Sequence, residues 1–186
     1  IEYFLKTANT MIFEKGRAFP KDHGMGTTVV AALADSKSIT VAHVGDSRLY
    51  LFRKGELSPL TEDHSLVNDQ VRRGMITPEE AAKSAIQNIL TRALGTEDQV
   101  KVDVSDHPLF PGDVLLLASD GLNKMVSDAE VARVLAEDSD PDKAVNRLIE
   151  MSRAAGGVDN ITVIVARVPA KGQGLKGLVS KLFGGA

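Results

Sequence analysis

The 186-residue sequence has no cysteine, no surplus of positive charge and no long apolar run. The lack of cysteine excludes disulfides and thiolate metal sites, so carboxylates, histidines and carbonyl oxygens are the available metal ligands. The formal net charge of −3 predicts no binding of the domain to nucleic acid or to anionic membranes. No stretch approaches the ~20 apolar residues that span a bilayer, and the N-terminus lacks the pattern of a secretory signal. We therefore predict a cytoplasmic protein.

The composition, with 43% hydrophobic and 25% charged residues, is that of one soluble globular domain. The chain begins inside an amphipathic pattern that predicts a helix over residues 2–15, ending at Gly16. We interpret this start as a truncation within a longer domain. The β-branched runs that follow, 27–34 and 38–45, predict a hairpin. Residues 48–60 form two short apolar stretches around the turn signal Lys54-Gly55, so the first half is predicted to be an antiparallel meander.

The second half mixes helices with further strands. Residues 61–95 have helical spacing, and Thr77-Pro78-Glu79-Glu80 has the form of a helix start. Later helices are predicted to start at Ser127 and at Asp140-Pro141, and strands are predicted over 99–106, 114–118 and 160–168. Blocks of strands without regular strand–helix alternation favour an α+β fold with antiparallel sheets over a doubly wound parallel sheet.

The residues after Pro169 are rich in glycine and lysine. We predict a flexible tail over 169–186, outside the folded domain. One helical face of this tail is apolar and lies opposite lysines, so weak docking to a membrane surface or to a partner is the alternative interpretation.

Three aspartates stand at the ends of apolar strands. Asp46 follows "VAHVG", Asp120 follows "VLLLAS" and Asp159 precedes "NITVIVA". One such residue is explained by a turn or a helix cap. Three like charges that lie together raise one another's pKa unless a hard cation binds between them, and an all-oxygen ligand set is typical of Mg²⁺ or Mn²⁺.

The motifs occur in the order and approximate spacing of a known family. "GMGTT", "AHVGDSRLYLFRKGEL", "LTEDHS", "SDG" and "GGVDNITVIVARV" resemble the metal-dependent protein serine/threonine phosphatases of the PPM (type 2C) family, bacterial branch. The resemblance covers about residues 1–168. It implies an antiparallel β-sandwich flanked by helices in four layers, α-β-β-α, with a helical flap insertion over about 61–94.

The resemblance also implies the chemistry. Asp120 and Asp159 would bind one ion of a catalytic Mn²⁺ or Mg²⁺ pair, and Asp46 with Asp120 a third, weaker ion, giving two to three ions in a full-length domain. Water activated by the metals would attack phosphoserine or phosphothreonine in phosphoproteins, the products of a serine/threonine kinase in bacterial signalling. A monomer is expected.

Part of the family machinery has no counterpart here. Nothing in residues 1–26 matches the phosphate-binding arginine, or the segment that supplies a bridging aspartate and the histidine proposed as general acid. We assign no catalytic residue, and we expect the fragment alone to be inactive. Two alternatives stay open: a non-catalytic regulatory or scaffold module with this fold, and a phosphatase dedicated to a single phosphoprotein.

Several polar residues have simpler interpretations. His43 is predicted to pack inside a sheet, and His64 to form a hydrogen bond to the neighbouring turn. Ser47 and Ser119 lack a base that would make them nucleophiles.

Overall fold

The computed structural model describes residues 1–169, so the predicted tail lies outside the described residues except for Pro169. Within this range the helices are α1 (Glu2–Ala18), α2 (Leu66–Arg72), α3 (Pro78–Ala81), α4 (Asp120–Asn123), α5 (Asp128–Glu137) and α6 (Pro141–Ala154), with a 3₁₀ turn at Pro20–Asp22. The strands are β1 (Val29–Ala34), β2 (Ser38–Val44), β3 (Arg48–Arg53), β4 (Glu56–Pro59), β5 (Asp103–Pro108), β6 (Val114–Ala118) and β7 (Val163–Arg167).

The strands form two antiparallel sheets. One has the order β1-β2-β5 and the other the order β4-β3-β6-β7. The β1–β2 and β3–β4 hairpins occur as predicted, in the registers Val29↔Val44 and Tyr50↔Pro59. The predicted meander is wrong, because β2 and β3 belong to different sheets. The chain changes sheet at Gly45, whose φ of 108° allows a turn that other residues adopt with strain. The α+β prediction with antiparallel sheets flanked by helices is confirmed.

Helix starts follow the sequence signals closely. Thr77 with Glu80 and Ser127 with Glu130 form capping boxes, in which each side chain bonds the backbone N–H of the other residue. Asp140 caps α6, and its carboxylate accepts from the N–H of Asp142. These contacts satisfy N–H groups that have no partner within the helix, so the helix starts were predictable from local chemistry.

Helix and strand ends differ more from the predictions. Helix α1 continues through Gly16 to Ala18, because Pro20 holds Phe19 in an extended conformation and one interior glycine costs only about 1 kcal/mol. The strand predicted over 99–106 begins at Asp103. The carbonyls of Glu97, Asp98 and Lys101 instead accept hydrogen bonds from the side chains of Asn9 and Arg92.

The described chain divides into two units with separate cores. The first unit comprises residues 1–35, 39–49 and 60–107, and α1 covers a small cluster there through Leu5 and Ile12. The second comprises 36–38, 50–59 and 108–169, and α5 and α6 cover its larger core. Its fully buried residues include Tyr50, Val114, Leu116, Leu122, Val131, Val134, Leu135 and Leu148. No helix in residues 1–169 has the length and apolar character that crossing a membrane requires.

Candidate metal centre

Strand β6 ends where the candidate site begins. Its side chains Val114, Leu115, Leu116 and Ala118 are buried, which fixes the strand in the core of the second unit. Ser119 follows as the N-cap of α4, and Asp120 is the first residue of that helix. The Asp120 side chain is 30% exposed. A rigid apolar strand therefore delivers a carboxylate to a position that solvent and ions can reach.

Ser119 joins this strand end to the segment that precedes β7. Its hydroxyl donates to the carbonyl of Asn160 and accepts from the N–H of Thr162, both at 3.0 Å. Its own N–H donates to the carbonyl of Thr162, also at 3.0 Å. Asp159 lies immediately before this connection, and its Oδ1 accepts from the N–H of Asn160 at 2.7 Å. The segments that carry Asp120 and Asp159, far apart in sequence, are thus held together by the hydrogen bonds of Ser119, whose role is structural.

Gly121 allows the two segments to approach. A Cβ atom at this position would lie 2.3 Å from the carbonyl oxygen of Asn160, well inside contact distance. The carbonyl of Gly121 also accepts from the hydroxyl of Ser152, which is buried in α6, at 2.8 Å. The glycine is therefore required by packing against Asn160.

Asp120 and Asp159 converge on one cation, the ammonium group of Lys124. Its Nζ lies 2.5 Å from Asp120 Oδ2 and 3.9 Å from Asp159 Oδ2. Both oxygens are within 4 Å of the same atom, so they lie no more than about 8 Å apart. The Asp159 side chain is 48% exposed. The two carboxylates, drawn together around one positive charge and open to solvent, fit a divalent ion with oxygen ligands and retained water.

Asp46, the third predicted ligand, lies in the first unit, in the turn that follows β2. The two residues that follow it are held in place. Ser47 exchanges a 2.9 Å hydrogen bond with Thr28, and Arg48 forms a bidentate ion pair with Asp63 at 2.7–2.8 Å. Asp46 itself is half-buried. The turn is thus rigid around the acid.

His64 fixes the other side of this turn. Its backbone N–H donates to the carbonyl of Gly45, and its Nδ1 accepts from the N–H of Gly45, both at 3.0 Å. The prediction of a local hydrogen bond from His64 to its neighbouring turn is wrong, because the partners of the ring, Gly45 and Asp103, lie 19 and 39 residues away in sequence. Because a backbone N–H only donates, Nδ1 carries no proton, and Nε2–H donates to Asp103 Oδ2 at 3.1 Å. His64 is neutral in this arrangement.

A second group of potential ligands surrounds this histidine. His43, His64 and Asp103 have ligand atoms within 4.8 Å of one another, and the two imidazoles stack with centroids 4.6 Å apart. His43 is buried in β2, as predicted, and its Nε2 bonds the carbonyl of Glu62 at 2.8 Å. Both nitrogens of His64 are engaged, and Arg92 binds Asp103 at 2.8 Å. We therefore interpret the group as a structural network, because both nitrogens of His64 are hydrogen-bonded and the charge of Asp103 is paired with Arg92.

The pKa values in this network reflect the same contacts. Burial lowers the pKa of His64 below its usual value, and the hydrogen bond to Asp103 opposes this shift. Burial alone would raise the pKa of Asp103, but hydrogen bonds from Arg92 and His64 outweigh it and hold the pKa well below its usual range. A neutral histidine beside an ionised, arginine-paired aspartate is the result.

Asp113 is a comparable carboxylate in the second unit. Its side chain is 2% exposed and forms a bidentate pair with Arg53, with both distances 2.8 Å. Burial would raise the pKa of Asp113, but the bonds from Arg53 and from the N–H of Phe110 lower it. Arg53 also stacks over the Phe110 ring at 4.6 Å. This aspartate holds the turn before β6.

The sequence interpretation missed Lys124, Asp103 and Asp113. Lys124 had a signal, because it stands four residues after Asp120, a spacing that places the two side chains together on a helix. Asp103 and Asp113 lay in segments interpreted only as a strand and a turn, and the distant arginines that bind them leave no local pattern.

Comparison with known proteins agrees with these motifs. The family model "Protein phosphatase 2C" matches residues 1–161. The protein phosphatase PhpP of Streptococcus pneumoniae is 40% identical over 162 residues, which are 87% of this chain and 65% of the relative.

Solved structures give the same result. Serine/threonine phosphatase Stp1 from Staphylococcus aureus matches with a TM-score of 0.86 and 36% identity over 89% of this chain and 65% of that one. The catalytic domain of the serine/threonine protein phosphatase PstP, solved in complex with two manganese ions, matches with a TM-score of 0.79 and 38% identity over 87% and 66%. The chain spans just under two thirds of each of these three proteins. The family match over residues 1–161 shows that the chain belongs to the protein phosphatase 2C family.

Proposed function

We propose that this chain is the larger part of a metal-dependent protein phosphatase domain that hydrolyses phosphoserine and phosphothreonine in proteins. The observation that carries the proposal is the convergence of Asp120 and Asp159 on one cationic atom. Family membership supports the reaction class, and the names of the relatives, serine/threonine phosphatases, support the substrate class.

Asp120 and Asp159 are the proposed ligands of a shared Mn²⁺ or Mg²⁺ ion. Both side chains are partly exposed, and both present hard oxygen donors at the end of a rigid strand or beside it. Asp46 is proposed as a ligand of a further, weaker ion. Bound divalent ions would neutralise phosphate oxygens and lower the pKa of a coordinated water, and two to three ions are expected in the complete domain.

Neighbouring residues of this chain hold the proposed metal ligands in position. Ser119 joins the segments that carry Asp120 and Asp159, Gly121 allows their close approach, and the buried strand β6 prevents the first acid from moving. Because these carboxylates are already ordered in the folded protein, ion binding does not cost the additional conformational entropy of ordering them. A small shift of either segment is therefore expected to affect metal affinity more than stability.

The proposed activity belongs to the whole protein. Residues 1–26 form α1 and a 3₁₀ turn, and no arginine or histidine there matches the family's phosphate-binding or general-acid motif. The 186-residue chain alone is expected to be nearly inactive towards phosphomonoesters, although it retains the proposed ion ligands. The domain boundary at 168, the flap over 61–94 and the tail over 169–186 are part of the same proposal.

The biological setting is proposed from the reaction class. Substrates would be phosphoproteins produced by a serine/threonine kinase, and the protein is proposed to be a cytoplasmic monomer. The net charge of −3 supports the absence of nucleic-acid and anionic-membrane partners for the domain, while a membrane role of the tail stays open.

The test uses the product of the complete gene. We expect hydrolysis of p-nitrophenyl phosphate and of a phosphothreonine peptide with Mn²⁺, abolished by EDTA and by Asp120→Asn. Asp113→Asn is the matched control for removal of a carboxylate outside the site, assayed after its folding has been verified by circular dichroism. A complete protein that stays inert at saturating Mn²⁺ would refute the enzyme and favour the non-catalytic scaffold module.

A further inference from the structure

Lys124 occupies a defined place between the two carboxylates. It follows α4 directly, and its backbone N–H donates to the carbonyl of Asp120 at 3.0 Å. This helical contact places the lysine side chain on the same face as Asp120, four residues earlier. Its side chain is only 20% exposed, so the ammonium group is directed into the site.

The charge balance of the site explains this position. Two carboxylates held together by the Ser119 connection repel each other, and each is partly removed from water. One ammonium group within 4 Å of both offsets part of this repulsion. Lys124 thus provides the counter-charge in the metal-free chain, in the position where a divalent ion shared by the two acids would bind.

We propose that Lys124 is a built-in competitor of the divalent ion: its ammonium neutralises Asp120 and Asp159 in the metal-free protein and must leave before the ion binds. The inference rests on the proposed function, because it requires that the two acids be metal ligands. The long, flexible lysine stem allows this exchange, since the ammonium can move into solvent without a change in the backbone. Lys124 thereby sets the metal concentration at which the site fills.

The test measures Mn²⁺ binding directly, independently of activity. Free Mn²⁺ is followed by electron paramagnetic resonance as it is titrated into the product of the complete gene and into its Lys124→Met and Lys143→Met variants. Lys143 is exposed on α6, so its variant removes the same formal charge without touching the site. We expect Lys124→Met to bind Mn²⁺ about two- to fivefold more tightly, the range for a partly exposed ion pair, and Lys143→Met to match the parent chain.

A second measurement reports on the metal-free state. Without metal, Lys124→Met is expected to unfold at a lower urea concentration than Lys143→Met, because its two acids have lost their counter-charge. Saturating Mn²⁺ is expected to remove that difference.

The outcomes separate the inference from the proposed function. If the parent and Lys143→Met bind Mn²⁺ while Lys124→Met binds equally or more weakly, the competitor role is wrong and the metal site stands. If none of the three binds Mn²⁺ at millimolar concentration, both the metal site and the competitor role are refuted.

Discussion

The molecule has two kinds of aspartate at the ends of its elements, and they differ in what neutralises them. Asp103 and Asp113 are each bound by an arginine, and the pKa of each carboxyl lies below its usual range. Asp120 and Asp159 share one lysine. Exposure does not separate the two kinds, since the side chain of Asp103 is 33% exposed and that of Asp120 is 30% exposed. An acid held by a planar guanidinium has its charge paired in a fixed geometry, whereas an acid held by a mobile ammonium can exchange that partner. The partner, more than the place in the fold, distinguishes a structural carboxylate from a ligand.

The largest effect on stability is expected from breaking the buried ion pair between Arg53 and Asp113. Arg53→Met leaves Asp113, which is 2% exposed, as a buried charge without its main partner, and should reduce the free energy of unfolding by about 3 kcal/mol. Urea denaturation followed by circular dichroism measures this loss. Arg133→Met, an exposed arginine on α5, is the control and should stay within about 0.5 kcal/mol of the parent. Equal stability of the two variants would contradict the structural role of Asp113.

Removal of a carboxylate that is paired only with a lysine should have the opposite effect: a large loss of metal affinity and a small loss of stability. Asp120→Asn is expected to weaken Mn²⁺ binding at least about tenfold, because a charged ligand is lost. Its unfolding free energy without metal should change by less than about 1 kcal/mol, since the pair with Lys124 is partly exposed. Titration calorimetry and urea denaturation measure the two quantities. A large loss of stability together with unchanged Mn²⁺ affinity would show that Asp120 stabilises the fold, like Asp113, and does not bind metal.

Mild acid should act on the first unit through His64. The pKa of His64 is lowered in the folded protein, so the unfolded chain binds the proton more readily. The stabilising contribution is therefore complete above the unfolded pKa of about 6.5, and stability falls by at most about 1.4 kcal/mol for each pH unit below it.

The measurement is urea denaturation at pH 7.5 and 5.5. His64→Asn removes the titrating group and retains an acceptor near the position of Nδ1, so its stability should depend less on pH across this range. A pH dependence equal to that of the parent would assign the effect to other groups.

The smallest difference is expected between two of the proposed ligands. Asp159→Ala should weaken Mn²⁺ binding more than Asp46→Ala, because Asp159 is proposed for the ion shared with Asp120 and Asp46 for a weaker one. Titration calorimetry of the two variants gives the order. The reverse order would exchange the proposed roles of these two acids.

The sequence predicted those features that depend on neighbouring residues. Both capping boxes, the hairpin at Lys54-Gly55 and strand β6 lie where local chemistry placed them. The strand predicted from Gln99 was wrong at its start: it begins at Asp103, and the carbonyl of Lys101 accepts a hydrogen bond from the side chain of Arg92. The acids of the proposed site were found from their motifs, but the sequence did not separate them from Asp103 and Asp113. That distinction depends on arginines that lie 11 and 60 residues away, too far for a local motif to record the pairing.

Gly121 has a consequence for how related sequences are interpreted. Since any side chain at this position would collide with the carbonyl of Asn160, substitution there is penalised whether or not a protein retains activity. A glycine at this position in a relative therefore indicates that the backbone arrangement is retained, but it does not indicate that the relative is active. The residue at position 120 distinguishes active from inactive relatives. A family member that keeps the glycine but lacks the aspartate is expected to fold normally and to have no metal-dependent hydrolase activity.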